Sequence, residues 1–163
     1  MSLKINQDYF RSIVFGFQDA LVSTTGVVVG ISIGAHNKQF IILSALVAIS
    51  VEALSMGAGQ YLSEKSVHEL PQSNHKDNLI TGALLMFLSY IIGGFIPIFP
   101  IFFTTPPLSS LLSVIFAFTG LFILGFVKAK LFSDHIWRSA FEMLTIGGLA
   151  TLIGLSVGLI FKI

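Results

Sequence analysis

A chain of 163 residues in which 54% of side chains are hydrophobic and 10% charged, with a mean hydropathy of +0.89, is too apolar for a soluble domain of that length and reads as an integral membrane protein. A formal net charge of +1 with no basic block excludes a nucleic-acid-binding surface. The lack of cysteine excludes disulfides, thiolate metal centres and a cysteine nucleophile.

The N-terminal MSLKINQDYFRS is polar and short, and the apolar run after it outlasts the ~7–15 residues of a signal-peptide core, so it is read as a retained spanning helix. A span needs about 20 apolar residues, and five runs supply them: 13–35, 40–62, 79–103, 109–131 and 141–161. None alternates with period two, which disfavours a β-barrel and predicts a single all-α transmembrane domain of five helices. The first two runs are joined by His36-Asn37-Lys38-Gln39, a connection short enough to make them antiparallel neighbours. The third closes on Pro97, Pro100, Pro106 and Pro107, which predicts a kinked last turn and a sharp connection to the fourth. Gly93-Gly94, Gly120, Gly125, Gly147-Gly148 and the Gly154/Gly158 pair fit close scaffold packing in the later spans.

Five spans put the termini on opposite sides, and charge orients them. With the N-terminus in the cytoplasm, the inner segments hold seven cations, Lys4, Arg11, Lys65, Lys76, Lys128, Lys130 and Arg138, against two outside, Lys38 and Lys162. Segments 63–78 and 132–140 are therefore expected in the cytoplasm and the C-terminus outside. The protein is expected in the plasma or inner membrane of a prokaryote or the vacuolar membrane of a eukaryote.

Function is sought where the bilayer is asked to hold charge. The first run contains Asp19 and the second Glu52, and an ionised side chain near the middle of a span costs roughly 2.5–3.5 kcal/mol even on insertion scales, so it faces a partner, a cavity or an ion. At about 100° per residue, Gly16, Asp19, Ser23, Gly26, Gly30 and Gly34 form one stripe, its GxxxGxxxG part suited to helix contact. Ala45, Ala48, Glu52, Ser55, Met56, Gly59 and Ser63 share a face of the second helix. Counting from the ends of the hairpin puts Asp19 level with Met56, and Glu52 one turn deeper, opposite Ser23. Ser23, Thr24, Ser55 and Gln60 are the candidate polar residues of a path. Carboxylates and hydroxyls alone suit hard cations, whereas a thioether beside them favours a first-row metal such as Fe²⁺ or Mn²⁺. One chain's ligand set is thin for a six-coordinate ion, and a second copy across a two-fold axis, meeting at Gly26, Gly30 and Gly34, would double it. The plainer alternatives are an Asp19–Arg11 pair and a protonated, hydrogen-bonded Glu52.

The segments FGFQDALVSTTGVVVGIS and EALSMGAGQYLSEKS, followed by GALLMFLSYIIGGFIPIFP, FAFTGLFILGFVKAKL and MLTIGGLATLIGLSVGLIF, resemble the vacuolar iron transporter family through all five spans in order. The D-x-L-V-S-T-T and S-M-G-x-G elements carry the resemblance. It implies a five-helix protomer, a homodimer with the ion path at its interface, and export of ferrous iron or manganese from the cytosol coupled to proton entry. The family's translocation aspartate falls on Asp19 and its methionine on Met56. Many relatives have a small residue at Glu52, and many have Glu where Gln60 stands. Iron-transporting relatives often carry a helical metal-binding domain after the second helix. Here only SEKSVHELPQSNHKDN is available, with Glu64, His68 and Glu69, and His75 and Asp77 nearby, as candidate metal-entry residues against the default of a solvated loop.

No phosphate-binding loop or catalytic triad is present, Asp134 and His135 read as solvated, and no enzyme activity or tightly bound cofactor is expected. The competing readings are a non-transporting membrane assembly subunit and a passive cation channel.

Overall fold

The computed structural model describes residues 6–35, 37–70, 78–132 and 135–161 as five helices: α1 (Gln7–Ala35), α2 (Lys38–His68), α3 (Leu79–Phe103), α4 (Leu108–Phe132) and α5 (Ile136–Ile160). All five contain a segment long and apolar enough to cross a membrane. Large apolar side chains such as Leu43, Val47, Leu54, Ile92, Phe99, Ile115 and Leu152 point outward, the arrangement that hydrocarbon rather than water around the bundle favours. The expectations for His36, His75, Asp77 and Asp134, and for the charges of Lys4, Lys76 and Lys162, lie outside the described residues.

Three helices outlast their apolar runs, and one of them, α5, begins at Ile136 rather than near residue 141. The α1 helix begins at Gln7 rather than near residue 13, with Asp8 in the first turn where a negative charge suits the helix dipole. The α2 helix continues to His68 rather than ending near 62, because the backbone ladder needs no apolar side chains to propagate once nucleated. At the hairpin, the Asn37 side chain accepts from the amides of Gln39 and Phe40 and starts α2 early, so Lys38 and Gln39 belong to the helix rather than to the connection. Lys38 Nζ then donates to the Phe102 carbonyl at 2.9 Å, a cation on the last turn of α3. Pro97 and Pro100 lie inside α3, which ends at Phe103, and the Thr104 amide closes on the Pro100 carbonyl at 3.0 Å.

The α1 helix is the hub and touches each of the other four. Around it run α2, α3, α4 and α5, each packed on the next, while α2 and α5 do not meet among the described residues. The ring is therefore open on one side. A groove of about 530 Å³ lies there, lined by Gly26, Gly30 and Gly34 of α1, Phe40 of α2, and Gly154 and Gly158 of α5.

The glycine stripe expected to meet a second copy has a partner inside the chain. Gly26, Gly30 and Gly34 lie in parallel register on Ala150, Gly154 and Gly158 of α5, and a Cβ on Gly30 would come 2.8 Å from the Gly154 carbonyl oxygen. Both helices run in the same direction, so two small-residue rows of equal period mesh along their length. The GxxxGxxxG run thus packs on α5 within the protomer while also lining the open groove.

Candidate functional site

Glu52 sits mid-way along α2, and two hydroxyl oxygens converge on it. Tyr90 of α3 donates to Glu52 Oε2, Ser23 of α1 donates to the same oxygen at 3.0 Å, and the Ser23 and Tyr90 hydroxyls are 2.5 Å apart. The placement of Glu52 opposite Ser23, obtained by counting residues across the hairpin, matches this contact. A carboxylate in this position would be expensive without donors, and two hydroxyls from two neighbouring helices offset part of that cost. Both act on Oε2, leaving Oε1 for another partner.

Asp19 is half-buried on α1, near enough to Glu52 for the two charges to interact. Met56, also half-buried, packs against a cluster of Ala20, Ala53 and Tyr90, so the thioether lies at the depth of the Asp19 turn. The structure thus brings Asp19, Ser23, Glu52 and Met56 into one α1/α2 interface with α3 behind it. Among the described residues no three His, Asp or Glu side chains converge on a common point.

The other expected site residues are dispersed. Thr24 is buried inside the bundle, and Ser55 is exposed on α2. Gln60 Nε2 donates to Glu64 Oε1 at 3.1 Å, and Glu64 Oε1 also accepts from Arg11 Nη2 at 2.5 Å. Arg11 lies 3.5 Å from Asp8 as well, so its carboxylate partners are Glu64 and Asp8 and not Asp19. The reason is α2's extension beyond its apolar run, which carries Glu64 back past the start of α1's apolar stretch. Glu69 is exposed and faces Lys65 at 3.8 Å, and His68 is half-buried in the last turn, so Glu64 and Glu69 point to different partners.

Sequence reading missed Tyr90, which belongs to a span otherwise taken as scaffold. It is fully buried. The available signal was a lone phenol in an apolar helix, whose hydroxyl must find a partner when buried. Tyr90→Phe keeps the ring packing and removes the donor, and a hydrogen bond to a charged group is worth about 1.5–3 kcal/mol. Stability in thermal unfolding should therefore fall by about that amount in the wild-type background and change little in a Glu52→Gln background. An equal loss in both backgrounds would place Tyr90 outside the site.

Comparison with known proteins bears on the same helices. The VIT family model matches residues 10–79 and 68–159, that is, all five helices and the Asp19 and Met56 segments. The chain belongs to the VIT family. It is 26% identical over 154 residues to the vacuolar iron transporter homolog 2 of Arabidopsis thaliana, across 87% of this chain and 79% of that protein. It is 24% identical over 204 residues to the vacuolar iron transporter 1 of the same plant, across 86% of this chain and 81% of that protein. The second alignment is longer than this 163-residue chain, so that relative contains residues with no counterpart here. The two matched pieces of the VIT model overlap at 68–79, between α2 and α3, where the sequence leaves room only for a short connection.

Proposed function

We propose that this VIT-family chain exports a divalent transition metal, Fe²⁺ or Mn²⁺, from the cytosol in exchange for protons, along a path between α1 and α2 that a second copy completes. The observation that carries this reading is the pair Asp19 and Glu52 at one membrane-embedded interface, with Glu52 Oε2 held by Ser23 and Tyr90. Two carboxylates sharing a low-dielectric interface are held together most cheaply by a cation or by protons, so departure of one is linked to arrival of the other. The thioether of Met56 biases the set toward a softer ion than Ca²⁺ or Mg²⁺.

The small-residue face of α2 supports a two-fold partner. Ser55, Gly59 and Ser63 are exposed, and a Cβ added to Gly59 would meet nothing within 4 Å among the described residues. This face continues from Glu52 and Met56, so a second copy seated on it would bring its own carboxylates to the first set and raise the ligand count toward the six that Fe²⁺ and Mn²⁺ accept.

The test is flux into proteoliposomes of Fe²⁺, Mn²⁺ and Ca²⁺ with and without an imposed pH gradient. Fe²⁺ and Mn²⁺ should be carried in preference to Ca²⁺ and should accelerate with the gradient, and Met56→Leu, which nearly conserves volume, should narrow the preference. Flux that ignores the gradient would make the chain a channel, and no flux of any ion would make it a non-transporting subunit.

A further inference from the structure

The Arg11–Glu64 ion pair lies off the proposed site yet on the way to it. Arg11 precedes Asp19 by two helical turns on α1, and Glu64 follows Met56 by two turns on α2, so the pair stands about 12 Å from that level at the same end of the bundle. Beside the pair lies a recess of about 460 Å³, lined by Arg11, Glu64 and Val67 and, toward the middle of the bundle, by Phe15, Gln60 and Met86. The two partners differ sharply in their hold on the protein. The Arg11 side chain is 63% exposed and the Glu64 side chain 12% exposed, and Glu64 is also held by Gln60 Nε2 at 3.1 Å.

That difference decides which partner moves. A guanidinium already mostly in water loses little by swinging out, whereas a largely buried carboxylate left alone carries an uncompensated charge. The vacated position therefore demands another cation. As a brace the pair is weak, since partly exposed ion pairs contribute ~0–1 kcal/mol and are screened by salt. As an exchangeable contact it is well matched, and the neighbouring Lys65 is turned toward Glu69 rather than toward Glu64.

We propose that Arg11 is a tethered stand-in cation at the cytosolic entrance, and that an arriving divalent metal ion takes its place on Glu64, releasing the tie between α1 and α2. The proposal rests on the transport reading above and specifies how the entrance is controlled. Glu64 is the carboxylate of the recess wall, with Asp8 and Glu69 farther toward the same end of the bundle. Met86 in the recess wall, 3% exposed, offers a thioether beyond it.

The full chain in proteoliposomes, with Mn²⁺ supplied from the side of the N-terminus, tests this. Arg11→Gln should lower the half-saturating Mn²⁺ concentration about fivefold and Glu64→Gln should raise it about fivefold, the factor expected for one partly exposed charge contact. The double variant should follow Glu64→Gln, and Arg11→Lys should stay near wild type. Shifts of the same sign in both single variants would make the pair a brace and overturn the proposal, as would no shift in either. If the wild-type chain carries no Mn²⁺, the transport reading falls and the exchange is judged by binding in detergent. Arg11→Gln must then be stabilised against heat at lower Mn²⁺ than wild type and Glu64→Gln only at higher Mn²⁺, and equal thresholds overturn it.

Discussion

Asp19→Asn should abolish metal-driven proton movement while leaving the protein folded. The amide keeps the shape of the side chain and removes both its charge and its titration. Among the described residues Asp19 has no hydroxyl clamp comparable to that on Glu52, and it lies in the first segment that the VIT model matches. Losing one charged ligand from a low-dielectric site costs on the order of 3–4 kcal/mol, which is a loss of more than a hundredfold in transport rate. The measurement is internal pH and Mn²⁺ content of proteoliposomes after Mn²⁺ addition. Glu52→Gln should impair the same signal less, because an amide oxygen at that position can still accept from Ser23 and Tyr90. Intact proton counterflow in Asp19→Asn would remove this carboxylate from the coupling mechanism.

Gly30→Leu should produce a large loss of stability. Its Cβ alone would sit 2.8 Å from the Gly154 carbonyl oxygen, a backbone atom that cannot turn away, so α1 and α5 must separate and surrender the contacts along the whole parallel row. Overpacking of this kind costs typically 1–3 kcal/mol, and a clash with backbone belongs at the upper end, about 3 kcal/mol. Gly59→Leu is the matching control, because nothing among the described residues lies within 4 Å of its added Cβ. Thermal unfolding in detergent should show a large drop for Gly30→Leu and almost none for Gly59→Leu, while dimer content should fall for Gly59→Leu. A stable Gly30→Leu protomer would mean that the α1/α5 seam is looser than the glycine register implies. A fully dimeric Gly59→Leu would move the two-fold contact off the α2 face.

The number of spans, the antiparallel first hairpin and the depth of Glu52 relative to Ser23 were legible in the sequence for simple reasons. Apolar length reports a crossing because the hydrocarbon layer has a fixed thickness. A connection as short as the one after Ala35 forces neighbours, and a constant rise per residue turns residue counts into heights, so that Glu52 could be set against Ser23 without coordinates. Asp19 and Glu52 announced themselves because charge inside a bilayer is costly wherever the helix sits.

Which surfaces meet was decided only by tertiary structure. A GxxxGxxxG row states that something approaches closely but carries no record of what, and here Gly26, Gly30 and Gly34 found α5 because Ala150, Gly154 and Gly158 present the same spacing on a helix running the same way. Tyr90 could not be assigned to Glu52 from α3's sequence, since the lateral order of helices around α1 sets which hydroxyl reaches which carboxylate. The partner of Arg11 depended on how far α2 continues past its apolar run, a boundary fixed by polar residues and backbone hydrogen bonds rather than by hydropathy. Crossing a membrane is a property of one segment against its solvent and can be read residue by residue. Pairing is a property of two surfaces, and in hydrocarbon, where apolar side chains gain nothing by leaving lipid, it is settled by shape and by the few polar groups that must find each other.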